Sequence, residues 1–474
     1  MGEGLSHNCG LCVTHSLHDA YSFIKSLQHR GREAAGIAAI SNDRIDVLRW
    51  SGSTDNFDMG DLPNIFNKSY HTFMAHDRYA TRGRKDKILE DSQPITLGGK
   101  EFRVGNHLHI LDCDAVCCHN GQVSLDYMKG INFDELKTGS DSEALLHFLE
   151  RFGAEGVLHN IPGAYTLAVA EKGRRAVLVM KDRTGIRPGV LGQKDGRYVV
   201  ASEEIAFVEN GAQFIEDLVP GSIYYLYPDG SYKRKSVISP VPRPCFFEGN
   251  YLLDVNSSLN GERVRNIRER LGKKLSDEAE FEGVDLVTFI PRCPVVAARA
   301  YADVVGLPFK PVFYKMRKER SFLGSTEEMR RESINDNLGL VPEVLEGSIM
   351  GKKIILMDDS IVRGNNSKRA IDLLYNRAKV SEIILLSYTP MIGIMGRDGV
   401  DRGCSFGVDM SPDDNFVARG KEEEQIGKEL GVTLKYLSLK GLYEVYESLG
   451  FKKQELCTYC IGGEHPFNGL VNKI

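Results

Sequence analysis

Short apolar runs separated by polar turns set the rhythm of this chain. In the second half, the runs Val284–Ile290, Ile354–Met357 and Ile383–Leu386 have strand length, and segments of helical spacing, Glu262–Leu271, Val295–Val305 and Lys368–Ala378, alternate with them. That alternation predicts a parallel sheet with crossover helices, an α/β fold. The first half begins with a strand pattern after Cys9 and a helix through Tyr21–Gln28, and closes on strand-like sequence ending SIYYLYPDGSYKRKSV. Between the halves, Ser239–Pro244 (SPVPRP) places three prolines in six residues and reads as a linker. The expected division is residues 1–8 as a propeptide, 9–240 and 241–442 as two domains, and 443–474 as a C-terminal tail.

Composition narrows the class. A length of 474 residues suggests about three domains and leaves room for at least two sizeable cores. Net charge is only −5, and cationic stretches such as Lys315–Arg320 are interrupted, so nucleic acid is not the expected partner. No apolar run approaches a bilayer span and the first residues lack a signal-peptide core, so no membrane partner and a cytoplasmic location are expected. Met1–Ser6 (MGEGLS) fits the loose N-myristoylation pattern, which is short and common by chance. Ten cysteines without a secretion signal indicate reduced thiols rather than a disulfide framework.

Chemistry is densest in Gly351–Lys368, GKKIILMDDSIVRGNNSK. A buried strand ends on Asp358 and Asp359, and a glycine turn then opens onto a helix. Successive N–H groups ahead of a helix N-terminus hold phosphate. Carboxylates at the end of such a strand can accept from ribose hydroxyls or share a divalent metal. Taken alone, the same acids could simply cap the helix.

Cys9, in HNCGLCVTHS, has three readings from its own neighbourhood. Removal of residues 1–8 would expose a thiol beside its own α-amino group, a nucleophile with a built-in base. Alternatively, Cys9 and Cys12 form a CxxC redox or metal pair, or Cys9 is a small buried hydrophobe. The segments LQHRGREAAGIA (27–38), HDRYATRG (76–83), HNGQ (119–122) and GSDSEALL (139–146) follow in order. Together with GAYTLAV, KDRTGIRPGVLG and ASEEIAF further on, they resemble the N-terminal-nucleophile glutaminase domain of class II amidotransferases. The resemblance implies an αββα fold and a catalytic Cys9 that forms a thioester with the glutamine side chain. It also implies an oxyanion hole from Asn120 and the Gly121 N–H, with Arg78 on the substrate α-carboxylate and Asp141 on its α-ammonium. Arg30 and Thr81 match positions lining the same glutamine pocket.

In the second half, ILMDDSIVRG resembles the phosphoribosyl-pyrophosphate motif of type I phosphoribosyltransferases. The two motif sets in this order resemble the amidophosphoribosyltransferase family. The resemblance implies that Asp358 and Asp359 hold ribose hydroxyls, that the loop Ser360, Arg363, Gly364, Asn365, Asn366 and Ser367 wraps the 5-phosphate, and that Mg2+ binds mainly through pyrophosphate. Lys315, Arg317 and Arg320 match a loop that closes over the substrate. Cys245, Cys404, Cys457 and Cys460 resemble the ligands of the 4Fe-4S cluster in one branch of the family. The same four thiols could hold tetrahedral zinc, and the CTYC pair fits a thioredoxin-like site poorly.

One stretch departs from the family. Where a small, hydroxyl-rich PDSGT-type loop is usual, Pro291–Ala298 reads PRCPVVAA. Its prolines remove backbone donors, and Arg292 could pair with phosphate directly. The threonines usual after the motif glycine are Asn365 and Asn366 here. The expected activity is formation of phosphoribosylamine from glutamine and phosphoribosyl pyrophosphate, in a homo-oligomer. The alternative is a paralogue with a working glutaminase whose second domain aminates another phosphosugar or senses a nucleotide. Glucosamine-phosphate synthase and asparagine synthetase are disfavoured, because the second half carries DDSIVRG.

Overall fold

The computed structural model describes residues 9–78, 87–138, 140–315, 338–408 and 410–470. In the first half, β1 (Gly10–Thr14), β2 (Thr72–Arg78), β3 (His107–Val123) and β4 (Gly163–Glu171) belong to one antiparallel network of thirteen strands. Alternating side chains divide that network into two faces. Cys12, Ala35 and Ile37 point to α1 (Leu17–Ser26), Cys117, Leu167 and Val169 point to α2 (Asp141–Asn160), and Leu11, Val13, Val116, Cys118 and Ala168 meet in a third core between the strands. The architecture is the expected αββα sandwich. Helix α1 begins earlier than its apolar spacing suggests, because the Ser16 hydroxyl caps it by accepting from the Asp19 N–H.

The second half is the expected α/β unit. It contains α3 (Val264–Glu278), β5 (Leu286–Phe289), α4 (Val295–Val305), β6 (Phe313–Lys315), β7 (Lys353–Asp358), α5 (Asn365–Asn376), β8 (Glu382–Ser387), β9 (Thr433–Tyr436) and α6 (Leu439–Ser448). Strands β5, β7, β8 and β9 pair in parallel in that order. Both faces are covered, which is why these runs are apolar throughout rather than alternating. Val287, Ile355 and Ile384 face α3, α4 and α6, and Leu286, Ile354 and Ile383 face α5 and β6. The α4 range matches its apolar spacing. Helix α3 starts two residues late, because Glu262 and Arg263 pair with Leu259 and Ser258.

The proline-rich segment is docked onto the first half. Val241 and Arg243 N–H groups donate to the Arg183 and Thr184 carbonyls at 3.0 and 2.7 Å, and the Pro244 carbonyl accepts from the Cys457 N–H at 3.0 Å. Ala164 and Ile186 of the first half share a core with the second. Helix α6 runs through position 443, and beyond it Leu456, Cys457, Cys460, Ile461 and Phe467 are buried in that same core. Among the described residues, no helix is long and apolar enough to cross a membrane.

Candidate functional site

Cys9 lies at the mouth of the first site, half-buried at the start of β1. Antiparallel pairing sets Gly10 opposite Asp77 on β2, one residue from Arg78. The Asp77 carboxylate accepts from the Gly10 N–H. Ser202 Oγ accepts from the Leu11 N–H at 3.0 Å and from Asn120 Nδ2 at 3.3 Å, tying the nucleophile strand to β3. Next to Asn120, Gly121 has φ +154°, and a Cβ there would lie 1.9 Å from the Ala164 carbonyl oxygen. Only glycine fits, so its N–H has a fixed direction. Asp141, the first residue of α2, accepts from the Val123 N–H at 2.8 Å. Arg78 donates through Nη1 to the Ile88 carbonyl at 2.8 Å. Cys9, Asn120, Gly121, Arg78 and Asp141 thus gather around one strand end. Thr81 lies outside the described residues.

Arg30 turns inward from the same region. Its side chain is fully buried, and its guanidinium is spent on Glu203 and on Glu248, the latter at 3.1 Å. Its Nε donates to the Cys9 carbonyl at 3.3 Å. It therefore reaches the nucleophile's backbone from within the seam, with its charge already met by two buried carboxylates. Arg187 adds a second cation to Glu248 at 3.1 Å, and His29 adds one to Glu203 at 2.8 Å when protonated. Glu203 and Arg30 come from the first half and Glu248 from the second, so this ion network crosses the seam. Sequence reading misses Glu203 and Glu248, since nothing in ASEEIAF or RPCFFE marks an inward charge.

The second site forms at the carboxyl end of β7. Asp358 Oδ2 accepts from Ser367 Oγ at 2.8 Å and Oδ1 accepts from the Asp359 N–H at 3.0 Å. Asp358 thus holds the Ser367 hydroxyl but no backbone N–H of the helix, so the simple capping role is not seen for it. Burial, then the neighbouring Asp359 charge, pushes the Asp358 carboxyl well above the usual range. Asp359 points the other way, toward the Cys293 thiol, and burial raises its carboxyl while Arg268 opposes. Ser360 Oγ donates to Asp359 at 3.3 Å. Gly364, at φ +75°, caps α5, so Asn365, Asn366 and Ser367 already form its first turn. The phosphate loop is shorter than expected, and the N–H groups of that turn face its mouth. Arg363 pairs with Asp414 at 2.6 Å. Arg317 and Arg320 lie outside the described residues.

The variant loop after β5 is filled rather than hollow. Cys293 Sγ sits 3.3 Å from Tyr388 Oη and donates to the Asn250 carbonyl at 3.5 Å. Behind it, the buried Arg268 donates to the carbonyls of Gly249, Tyr251 and Leu253.

Cys245, Cys404, Cys457 and Cys460 line one cavity together with Ile186, Phe247, Phe406 and Arg187. The backbones of Cys245 and Cys457 pair in an isolated parallel β-bridge, and both thiols are free. Burial pushes the Cys245 thiol up to about 12 and raises the other three. Among the described residues, no group of three or more His, Cys, Asp or Glu could hold a single metal ion.

A family profile for a glutamine amidotransferase domain matches residues 126–229. The Bacillus subtilis amidophosphoribosyltransferase is 28% identical, covering 98% of this chain and 95% of its own. That of Archaeoglobus fulgidus is 29% identical, covering 94% of each. A solved structure of the B. subtilis glutamine phosphoribosylpyrophosphate amidotransferase, complexed with ADP and GMP, superposes with a TM-score of 0.78 at 26% identity over 97% of each chain.

The Glu203 carboxyl gives this site a pH signature. Burial alone would raise it, but the charges of His29 and Arg30 outweigh burial and hold it below its ordinary value of 4.5. A depressed acid stabilises the fold above its unfolded pKa and loses that contribution as pH falls. Melting temperature measured from pH 6 down to pH 3 is expected to fall more steeply for the wild type than for Glu203→Gln, and parallel curves would contradict the ion network. Over at least 94% of its length, and in fold, this chain is similar to the amidophosphoribosyltransferases.

Proposed function

We propose that the chain transfers the amide nitrogen of glutamine to phosphoribosyl pyrophosphate, releasing glutamate and pyrophosphate and forming 5-phosphoribosylamine. The observation that carries this reading is the joining, across one buried seam, of a nucleophile site at Cys9 to a ribose-phosphate site at Asp358 and Asp359. Once residues 1–8 are removed, the Cys9 thiolate attacks the glutamine amide carbon while Asn120 Nδ2 and the Gly121 N–H receive the charge on its oxygen. The Cys9 α-amino group carries the thiol proton to the departing ammonia, and water then cleaves the thioester to glutamate. Arg78 and Asp141 suit the substrate's α-carboxylate and α-ammonium. At the second site, ammonia adds at C1 as the C1–O bond to pyrophosphate breaks.

Asp358 and Asp359 would hold ribose hydroxyls, with Mg2+ bound mainly through the pyrophosphate and those hydroxyls. Cys245, Cys404, Cys457 and Cys460 would hold a 4Fe-4S cluster. Four soft donors around one cavity support this reading, and the resemblance to the iron-sulfur branch of the family favours a cluster over zinc. Such a cluster would pin the tail to the start of the second domain, a structural role, since neither half-reaction moves electrons. By the same resemblance the protein would be a homo-oligomer, dimer or tetramer.

The second reading, amination of another phosphosugar or nucleotide sensing, draws on one observation: the Pro291–Pro294 loop is occupied by Cys293 and lacks proline N–H donors.

Glutamate and pyrophosphate release decide between them. Phosphoribosyl pyrophosphate is expected to stimulate glutamate release, and Cys9→Ser to abolish it while pyrophosphate release persists with ammonium as nitrogen donor. Glutaminase indifferent to phosphoribosyl pyrophosphate, with no pyrophosphate formed, would refute the transferase reading. For the cluster, purified protein should contain iron and absorb near ~400 nm, and Cys457→Ser should lose both and melt lower. Colourless protein containing zinc would contradict it.

A further inference from the structure

The peptide that joins Cys9 to Gly10 is gripped at both of its polar atoms. Its carbonyl accepts from Arg30 Nε at 3.3 Å, and its N–H donates to one oxygen of the Asp77 carboxylate on β2. The approach is close: a Cβ on Gly10 would stand 2.5 Å from Asp77 Oδ1 and 2.8 Å from Leu27 Cβ, so glycine is what admits the carboxylate. Asp77 is 1% exposed, and its other oxygen, Oδ2, has no hydrogen-bond partner among the described residues. A buried carboxylate oxygen left unpaired is destabilising until a donor or a cation meets it.

The charged groups around Asp77 are committed elsewhere. His29 meets Glu203 at 2.8 Å, and Arg30 is bound to Glu203 and Glu248. Glu203 itself and the buried Cys12 thiol on β1 bring no positive charge. On β2, alternation turns His76 and Arg78 to the opposite face. Burial pushes the Asp77 carboxyl well above its ordinary value of 3.8, against the Gly10 N–H, His29 and Arg30, and Glu203 pushes the same way as burial. The carboxyl thus lacks a cation, and removal of residues 1–8 creates one beside it. Bond lengths alone keep the Cys9 nitrogen within about 4 Å of the Gly10 nitrogen, the atom that Asp77 already holds.

We propose that Asp77 is a positioning residue for the nucleophile, fixing the Cys9–Gly10 peptide through one oxygen and pairing through the other with the Cys9 α-ammonium of the processed chain. This rests on the reading of Cys9 as an amino-terminal nucleophile given above. When the amine takes the thiol proton, the S–H bond breaks, an N–H bond forms, the sulfur keeps the electron pair, and Asp77 stays ionised beside the new ammonium. An anion there favours the protonated amine and so makes the amine a stronger base toward the thiol. The carboxylate serves the amine as the buried acid of a serine protease serves its histidine.

The test compares wild type with Asp77→Asn, which keeps an oxygen for the Gly10 N–H but loses the charge, and with the smaller Asp77→Ser. Full chains are used whose intact mass shows Cys9 as the first residue. Glutamate release gives kcat and KM for glutamine from about pH 5 to about pH 9, and trace acetylation of the amino terminus by acetic anhydride titrates the amine itself. Asp77→Asn is expected to lower the plateau kcat about fivefold with KM little changed. It should also move both the acid limb of kcat/KM and the amine titration about one pH unit lower, because the amine has lost its counter-charge. Asp77→Ser should do the same. A kcat that falls while both pH curves stay in place would make Asp77 a purely structural contact and overturn the proposal, as would variants as active as the wild type. Wild type that is active with residues 1–8 still attached would overturn it too. A processed wild type that releases no glutamate would defeat the functional reading instead, and the amine titration would still decide the role of Asp77.

Discussion

Two arginines and two glutamates, buried between the halves of the chain, hold both sites in place. Arg30 and Arg187 converge on Glu248, and Arg30 also meets Glu203. Each charge would be prohibitive to bury alone, and removing one partner of such a pair typically costs about 3–5 kcal/mol. The seam therefore tolerates little slippage. Because Arg30 also donates to the Cys9 carbonyl, the position of the nucleophile is tied to the second half and not only to its own sheet. Glu248 begins a π-helical turn, 248–252, whose Asn250 carbonyl receives Cys293 and Tyr388 at the other site. A single short segment thus touches the supports of both centres.

The sites themselves follow from register. Parallel pairing of β5 with β7 brings the variant loop beside the Asp358–Asp359 pair, and antiparallel pairing of β1 with β2 brings Arg78 beside the start of the nucleophile strand. A one-residue slip in either pairing would turn those side chains to the opposite face. The tail is held in turn by the shared core around Cys245, Cys404, Cys457 and Cys460.

Much of this was legible in the residues. The apolar runs of the second half become strands of a doubly covered parallel sheet, and Val295–Val305 becomes a helix with those bounds. Ordered motifs single out Cys9, Asn120, Gly121, Arg78 and Asp141, and strand register accounts for Arg78 standing beside the start of the Cys9 strand. Direction was not legible. RGRE does not reveal that Arg30 turns inward to a glutamate 218 residues away while Arg32 stays outside. DDS does not reveal that Asp358 turns to the Ser367 hydroxyl while Asp359 turns to Cys293. The start of α5 at Asn365 rather than Lys368 was hidden because a first helical turn of asparagines and serine carries no apolar spacing. The prolines of the linker signal a break in helix and sheet, but not that the segment docks along residues 183–186.

The central proposal, drawn from two sites joined across one buried seam, is that ammonia freed at Cys9 passes to the ribose site of the same chain. Glutamine labelled with 15N in its amide, supplied with phosphoribosyl pyrophosphate in the presence of excess unlabelled ammonium, tests this directly. Mass spectrometry of the product amine should find it predominantly labelled. A product with the isotopic composition of the bulk ammonium would contradict the account.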